Sequence, residues 1–126
     1  ILAYDIDHLK YSKETISRFA VMRFNENYDL LAIVEKPEKS EIDNYTDAFQ
    51  KIRVSMNIFL FDGKLFFEYL KNCPIHTVRN EKELPGALMN MITDNIKVLG
   101  IPIAEHVPDL TSKADISELE KYFSGQ

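Results

Sequence analysis

The chain has 126 residues, of which 45% are hydrophobic and 28% charged, and its formal net charge is −5. These values are typical of one globular domain and exclude a disordered chain. The acidic balance argues against a nucleic-acid partner, which needs clustered Lys and Arg, and no apolar run reaches the ~20 residues that cross a bilayer. The single cysteine, Cys73, cannot form an internal disulfide, which predicts a reducing, cytoplasmic location.

The first half of the chain predicts a short strand and then a hairpin. Residues 1–6 predict the short strand and residues 7–17 a loop, and two further strands are predicted at residues 18–24 and 30–34. The Asn-rich residues 25–28 between them are typical of a hairpin turn, because Asn tolerates the left-handed conformation. Pro37 ends the second strand of the hairpin since it has no N–H to donate. Residues 38–50 predict a loop with at most one helical turn.

The middle of the chain predicts one long strand and two helices. Residues 52–61 are apolar at almost every position after Ser55, which predicts a strand buried on both faces. Asp62 is placed to cap the helix that follows, and a second helix is predicted to begin near Leu84, with Pro85 in its first turn. The apolar spacing of each helix predicts an inward face: Phe66, Tyr69, Leu70 and Cys73 in the first, and Leu84, Ala87, Leu88, Met91 and Ile92 in the second.

The last part of the chain predicts a strand and a helix. Residues 96–104 predict a strand that Pro102 interrupts, which favours the edge of a sheet. Ser112-Lys113-Ala114-Asp115 resembles a capping box that opens a helix, with Ile116, Leu119 and Phe123 facing inward. Strands and helices therefore interleave along the chain, which predicts an α/β or α+β layered architecture with a mixed sheet. A strand pattern that begins at Ile1, without an initiator Met, predicts a fragment of a longer domain.

Glu35-Lys36-Pro37 is the first candidate for chemistry. Successive residues of a strand point to opposite faces, so a carboxylate and an ammonium side by side cannot both be ordinary core residues. A carboxylate accepts hydrogen bonds from sugar hydroxyls, and lysine is a compact charge suited to phosphate. Taken alone, the tripeptide equally fits a solvated strand end that stops at a proline.

Four segments that follow one another along the chain resemble the sugar-1-phosphate nucleotidyltransferases. The resemblance lies in the strand–turn–strand of residues 17–37, which ends in Val34-Glu35-Lys36-Pro37, and in three later segments. Those three are Val54-Ser55-Met56-Asn57-Ile58-Phe59-Leu60-Phe61-Asp62, Glu83-Leu84-Pro85-Gly86-Ala87-Leu88, and Val107-Pro108-Asp109-Leu110-Thr111-Ser112-Lys113-Ala114-Asp115-Ile116. The segment from Val54 to Asp62 is most like the corresponding segment of the glucose-1-phosphate adenylyltransferases. The resemblance implies the C-terminal half of a three-layer α/β fold with a mixed sheet.

The resemblance also implies a sugar-phosphate pocket. In such a pocket Glu35 accepts hydrogen bonds from the ring hydroxyls, Lys36 binds the sugar-1-phosphate, and Ser55 contacts the sugar. The backbone at Ala20 and at Asn57 lines the same pocket. The parent reaction would join an NTP and a sugar-1-phosphate into an NDP-sugar and release pyrophosphate.

Asp109 falls at the position of a magnesium ligand in the same family. Magnesium binds few protein carboxylates together with substrate phosphates, so the resemblance implies Mg²⁺ as the cofactor and a second carboxylate from elsewhere. The family's Gly-rich loop, which binds the nucleotide, has no counterpart in these 126 residues. We therefore expect residues 1–126 to be a single sugar-phosphate-binding unit, inactive alone and completed by an N-terminal half. We also expect a homo-oligomer, in which residues 1–6 or 52–61 pair with another copy.

Four substitutions depart from the family pattern. Ala20 and Asn57 occupy positions where glycine is usual, Val107 replaces an aromatic residue, and Thr111 replaces a glycine. These changes favour an alternative function, a non-catalytic regulatory or sugar-phosphate-binding module that keeps the fold. Asp109 after Pro108 also fits an ordinary turn residue. A third possibility is an unrelated small α/β interaction domain.

Overall fold

The computed structural model of the chain describes residues 1–110 and 112–125. Within them, the strands are β1 (Leu2–Asp5), β2 (Ala20–Phe24), β3 (Leu30–Glu35), β4 (Arg53–Ser55) and β5 (Ile101–Ile103). The α-helices are α1 (Lys13–Ile16), α2 (Gly63–Asn72), α3 (Leu84–Thr93) and α4 (Ile116–Ser124). Short 3-10 helices form at Ile42–Tyr45 and Lys113–Asp115. None of the described helices is long and apolar enough to span a membrane.

The five strands form one sheet in the order β3-β2-β4-β1-β5. Strands β1 and β5 are parallel, whereas the β1–β4, β2–β4 and β2–β3 pairs are antiparallel. The predicted α/β class with a mixed sheet is therefore confirmed, and β5, which carries Pro102, lies at an edge as expected. Because β1 has a neighbour on both sides, the expectation that residues 1–6 pair with another copy is wrong.

Each face of the sheet carries its own apolar core. On one face, α2 and α3 contribute Phe66, Leu88 and Met91 to a cluster that includes Met22 and Phe24. On the other, Ile16 of α1 and Ile42 of the first 3-10 helix pack with Val21 and Val54. Alternation along β2 sends Met22 and Val21 to opposite sides, so one strand supplies both cores.

The predicted hairpin joins β2 and β3, but its turn differs in detail. The left-handed residue is Tyr28, at φ 59°, rather than an asparagine. Asn25 acts through its side chain instead, because its Oδ1 accepts hydrogen bonds from the backbone N–H groups of Asn27 and Asp29, each at 2.9 Å. This bonding of a side chain to nearby backbone is the common role of Asn in turns.

The two middle helices begin as predicted. The Asp62 carboxylate accepts from the backbone N–H groups of Lys64 and Leu65, both at 3.0 Å, and so caps α2. Pro85 lies in the first turn of α3, where its missing N–H has no helical partner to lose. Of the predicted stripe, Ala87, Leu88 and Met91 are buried and Leu84 and Ile92 partly buried, and Pro85 is buried as well.

The long strand predicted at residues 52–61 is wrong. Strand β4 ends at Ser55, and Asn57 has φ 58°, which is incompatible with a continuing strand. The apolar residues that follow are not all buried, since Leu60 is 92% exposed. The long strand that was expected to pair with another copy is therefore absent from residues 52–61.

Near the two ends of the chain, two expectations are wrong and one is confirmed. Residues 7–17 contain the short helix α1, whose start is capped by the Ser12 hydroxyl, which accepts from the Thr15 N–H at 3.2 Å. The predicted capping box between Ser112 and Asp115 is confirmed. However, α4 buries none of its residues, and Phe123, predicted to face inward, is 78% exposed.

Candidate functional site

Three of the predicted site residues lie in one row across the sheet. In the antiparallel pairing of β2 with its neighbours, Ala20 is directly opposite Glu35 on one side and Ser55 on the other. Residues directly opposite each other in antiparallel strands point to the same face. The register therefore brings Glu35, Ala20 and Ser55 together at the end of the sheet nearest the start of α3.

Glu35 is half-buried and lines two adjoining cavities. The first, of about 350 Å³, is shared with Lys36, and the second, of about 280 Å³, with Asn57. Burial raises the pKa of the Glu35 carboxyl, the nearby Lys36 ammonium counteracts this, and Glu83 adds to it. Within the described residues, the Glu35 carboxylate accepts no hydrogen bond. The carboxylate is therefore held at the cavity wall with its oxygens available to a ligand.

Lys36 lies at the end of β3 in an uncommon backbone conformation. Its φ is 51°, in the left-handed region that costs a residue with a Cβ about 1–2 kcal/mol. Its N–H donates to the carbonyl oxygen of Phe19 at 3.1 Å, which continues the β2–β3 pairing by one bond. The exposed side chain lines the first cavity beside Glu35. Such strain is frequent at functional positions, where the surrounding structure holds it in place.

The loop between α2 and α3 brings three site residues that the sequence analysis did not select. Arg79, Glu83 and His76 line the first cavity with Glu35. The Arg79 guanidinium donates two hydrogen bonds to the Glu83 carboxylate, one of them from Nη2 to Oε2 at 2.7 Å. These bonds lower the pKa of Glu83 and raise that of Arg79. For His76 and Arg79 the sequence signal was only the charged run before Leu84, which by itself is typical of a solvated loop, whereas Glu83 begins one of the four resembling segments.

His76 shapes this loop through its ring. Its Nδ1 accepts hydrogen bonds from the backbone N–H groups of Val78 and Arg79 at 3.3 and 3.2 Å. The backbone of Asn80 also donates to the His76 carbonyl oxygen at 2.8 Å. The turn that carries Arg79 into the cavity is therefore fixed by local bonds to one histidine.

Ala20 and Ser55 are placed beside the cavities, but both are covered. Ser55 is 1% exposed, and its hydroxyl oxygen accepts from the Asn57 N–H at 3.2 Å. Ala20 is also buried. Asn57 itself is exposed and keeps the left-handed φ that glycine adopts most easily, which explains why asparagine can replace glycine there.

Asp109 lies in a different part of the molecule. It lines two cavities, of about 290 and 320 Å³, together with Tyr11, Asp115 and Glu118, and Glu35 and Lys36 line neither. Tyr11 is held there by a bond from its hydroxyl to the Val107 carbonyl oxygen at 2.7 Å. Burial raises the pKa of the Tyr11 hydroxyl. Thr111, one of the four departures from the family pattern, lies outside the described residues.

The described residues do not make a metal site by themselves. Among residues 1–110 and 112–125, no group of three or more His, Cys, Asp or Glu side chains could hold a metal ion. Asp115, beside Asp109, accepts hydrogen bonds from the N–H and the hydroxyl of Ser112 at 2.7 and 2.9 Å in the capping box. Asp109 is therefore not part of such a group within the described residues.

Comparison with known proteins adds no relative: no protein-family model matches the chain, and no curated protein matches it. The fold and the site define an α/β domain with a mixed sheet and a cavity lined by four carboxylates, among them the half-buried Glu35, together with Lys36 and Arg79.

Proposed function

We propose that this chain forms the sugar-phosphate side of a sugar-1-phosphate nucleotidyltransferase. One observation carries the proposal. Glu35 and Lys36, which the resemblance assigns to the sugar and to its phosphate, line the same cavity, and Ser55 lies in the same row of the sheet. A fold like that of the nucleotide-diphospho-sugar transferases is part of this proposal, as is a cytoplasmic homo-oligomer.

The proposed binding mode follows from the charges around the cavity. The Glu35 carboxylate, which lacks a hydrogen bond within the described residues, accepts from two sugar hydroxyls. Lys36, on the exposed side, provides an ammonium for the phosphate, whereas the positive charge of the adjacent Arg79 is already paired with Glu83. Positioning and electrostatic stabilisation are the main contributions that a phosphoryl-type transfer requires of a protein.

The nucleotide side of the reaction is assigned to residues outside this chain. The 126 residues contain no Gly-rich loop with Arg and Lys to cradle a triphosphate. In the complete protein, Mg²⁺ would be held by Asp109, a second carboxylate and substrate phosphate oxygens, and would neutralise charge on the reacting phosphates. Residues 1–126 alone are therefore expected to bind a sugar phosphate without turning it over.

A non-catalytic sugar-phosphate-binding or regulatory module is the second candidate. It is favoured by the separation of Asp109 from the cavity of Glu35 and Lys36, since an enzyme needs all three to meet one substrate. Turnover separates the two candidates. Pyrophosphate release, measured with Mg²⁺, several NTPs and hexose 1-phosphates on a protein that includes the nucleotide half, supports the enzyme. No release with any pair supports the binding module.

Substitution of Lys36 tests the binding site that both candidates share. We expect Lys36→Ala to weaken binding of glucose 1-phosphate by at least about tenfold, because a charge-assisted bond to the phosphate is lost. Lys64→Ala is the matched control, since Lys64 is also exposed but lies at the start of α2 and lines neither cavity. Isothermal titration calorimetry measures both variants. Equal affinities for Lys36→Ala and the unaltered protein would remove Lys36 from the site.

A further inference from the structure

Asn57 presents a side chain where the family pattern has only backbone. The residue is exposed, has φ 58° and lines the second cavity with Glu35. Its N–H is bonded to the Ser55 hydroxyl at 3.2 Å, which fixes the backbone at the end of β4. Within the described residues, its side-chain amide forms no hydrogen bond. A polar group with one acceptor and two donor hydrogens is therefore left available at the wall of this cavity.

The cations of the two cavities indicate which part of a sugar phosphate fits in the second. Its ionisable lining residues are Glu35, Glu81, Glu83 and Lys82, and the Lys82 ammonium already donates to the carbonyl oxygens of Leu70 and Lys71. An anionic phosphate is repelled by this acidic wall, whereas neutral hydroxyls donate to carboxylates favourably. The first cavity is no less acidic, since Glu35, Glu38, Glu41 and Glu83 line it with Lys36 and Arg79, and Arg79 is paired with Glu83. Lys36 forms no salt bridge within the described residues, so we assign the phosphate to Lys36 in the first cavity and the hydroxyl-bearing ring to the second.

We propose that the side-chain amide of Asn57 is a specificity-determining group that binds a ring hydroxyl next to those held by Glu35. This inference rests on the proposed binding of a sugar-1-phosphate at the same site. The amide donates to and accepts from hydroxyls in a fixed direction, so it distinguishes sugars that differ only in the configuration of one carbon. A glycine at this position offers no such group and leaves the cavity wider.

Because the backbone of Asn57 is left-handed, its side chain can be removed without disturbing the fold. Asn57→Gly removes the amide but suits φ 58°, so the fold should be retained. Asn95→Gly is the matched control, because Asn95 is an exposed asparagine with φ 61° that lines neither cavity. Thermal unfolding of both variants verifies that each is folded before binding is measured.

Calorimetric affinities for glucose 1-phosphate, galactose 1-phosphate and mannose 1-phosphate test the inference. We expect the unaltered protein to prefer one of the three, and Asn57→Gly to reduce that preference by about tenfold, the equivalent of ~1.4 kcal/mol. Asn95→Gly should retain the preference. Equal affinities of the unaltered protein for the three sugars, or an unchanged preference in Asn57→Gly, would overturn the role of Asn57. No binding of any of them to the unaltered protein would overturn the proposed function and this inference with it.

Discussion

At the scale of single residues, the candidate site combines a carboxylate whose burial costs free energy with a backbone conformation that also costs free energy. The Glu35 carboxylate is half-buried without a hydrogen bond within the described residues, and the backbone of Lys36 beside it is left-handed. Both features cost folding free energy, and neither packs the core. Natural proteins keep such costs mainly where a ligand or a reaction uses them.

The pH dependence of stability should reveal the burial of Glu35. Its pKa in the folded protein is raised above the ordinary value of 4.5, so folding favours the protonated carboxyl. Glu35→Gln should therefore raise the free energy of unfolding at pH 7, and the gain should shrink as pH falls through the raised pKa and vanish below about 4.5. Urea denaturation of both proteins across this range measures the difference.

Glu83 supplies a contrast of opposite sign. The Arg79 hydrogen bonds lower the pKa of Glu83 from 4.5, so its ionised form stabilises the fold above that value. Glu83→Gln should therefore lower stability at pH 7, and the loss should diminish as pH falls through the lowered pKa. The same sign of effect in both variants would contradict the placement of these two carboxyls.

The left-handed conformation of Lys36 leads to a prediction that separates stability from binding. Lys36→Gly should raise the free energy of unfolding by on the order of 1 kcal/mol, because glycine adopts a positive φ without a steric cost. Gln50→Gly, at φ 59° and away from both cavities, should be stabilised similarly. Calorimetry with glucose 1-phosphate should show weaker binding in Lys36→Gly alone. A loss of binding in both would point to a general change in the fold.

At the scale of elements, the approach to β5 depends on close contact with the hairpin. Gly100 is followed directly by β5, and its N–H donates to the Tyr28 carbonyl oxygen at 2.8 Å. A Cβ at this position would lie 2.4 Å from Cε1 of Phe24, a core residue of β2. The ring and the backbone therefore pack against each other with no space for a methyl group.

Gly100→Ala should lower the free energy of unfolding by about 1–3 kcal/mol, the usual cost of overpacking a core. Gly63→Ala is the control, because a Cβ there meets nothing within 4 Å and helix α2 favours alanine. Urea denaturation with a common m-value compares the two. Equal stability of both variants would show that Phe24 moves aside without cost.

At the scale of the whole molecule, the described helices differ in how many residues they bury in the two cores. Helix α3 buries four residues against the sheet, whereas α4 buries none. One side-chain contact that joins α4 to the rest is the edge-to-face packing of Tyr122 on His106, with ring centroids 5.8 Å apart. The free energy that holds α4 in place must therefore be small.

Amide hydrogen exchange should resolve this difference. We expect amides of α4 to have protection factors at least about a hundredfold lower than those of α3, because α4 can open locally while both cores stay intact. Mass spectrometry or NMR of the 126-residue chain provides the measurement, with α3 as the internal reference. Equal protection of the two helices would contradict a weakly held α4.

The candidate site could be predicted in part. Glu35 and Lys36 follow from a motif and its context, but Arg79 and His76 were not recognisable, because they lie in a charged loop without periodicity. Their place in the cavity depends on the bonds from Val78 and Arg79 to the His76 ring. Such bonds are set by the folded geometry of the loop rather than by any repeating pattern.

The sequence alone determined the elements that depend on local chemistry. The hairpin, the Asp62 cap, Pro85 in the first turn of α3 and the capping box at Ser112 all rest on contacts between residues a few positions apart, and all are present. Only the tertiary structure decided which apolar segments are buried. Residues 52–61 and α4 look like core in their composition, yet burial requires a partner surface, and no local pattern specifies one. The row of Glu35, Ala20 and Ser55 has the same origin, since strand register is a long-range property.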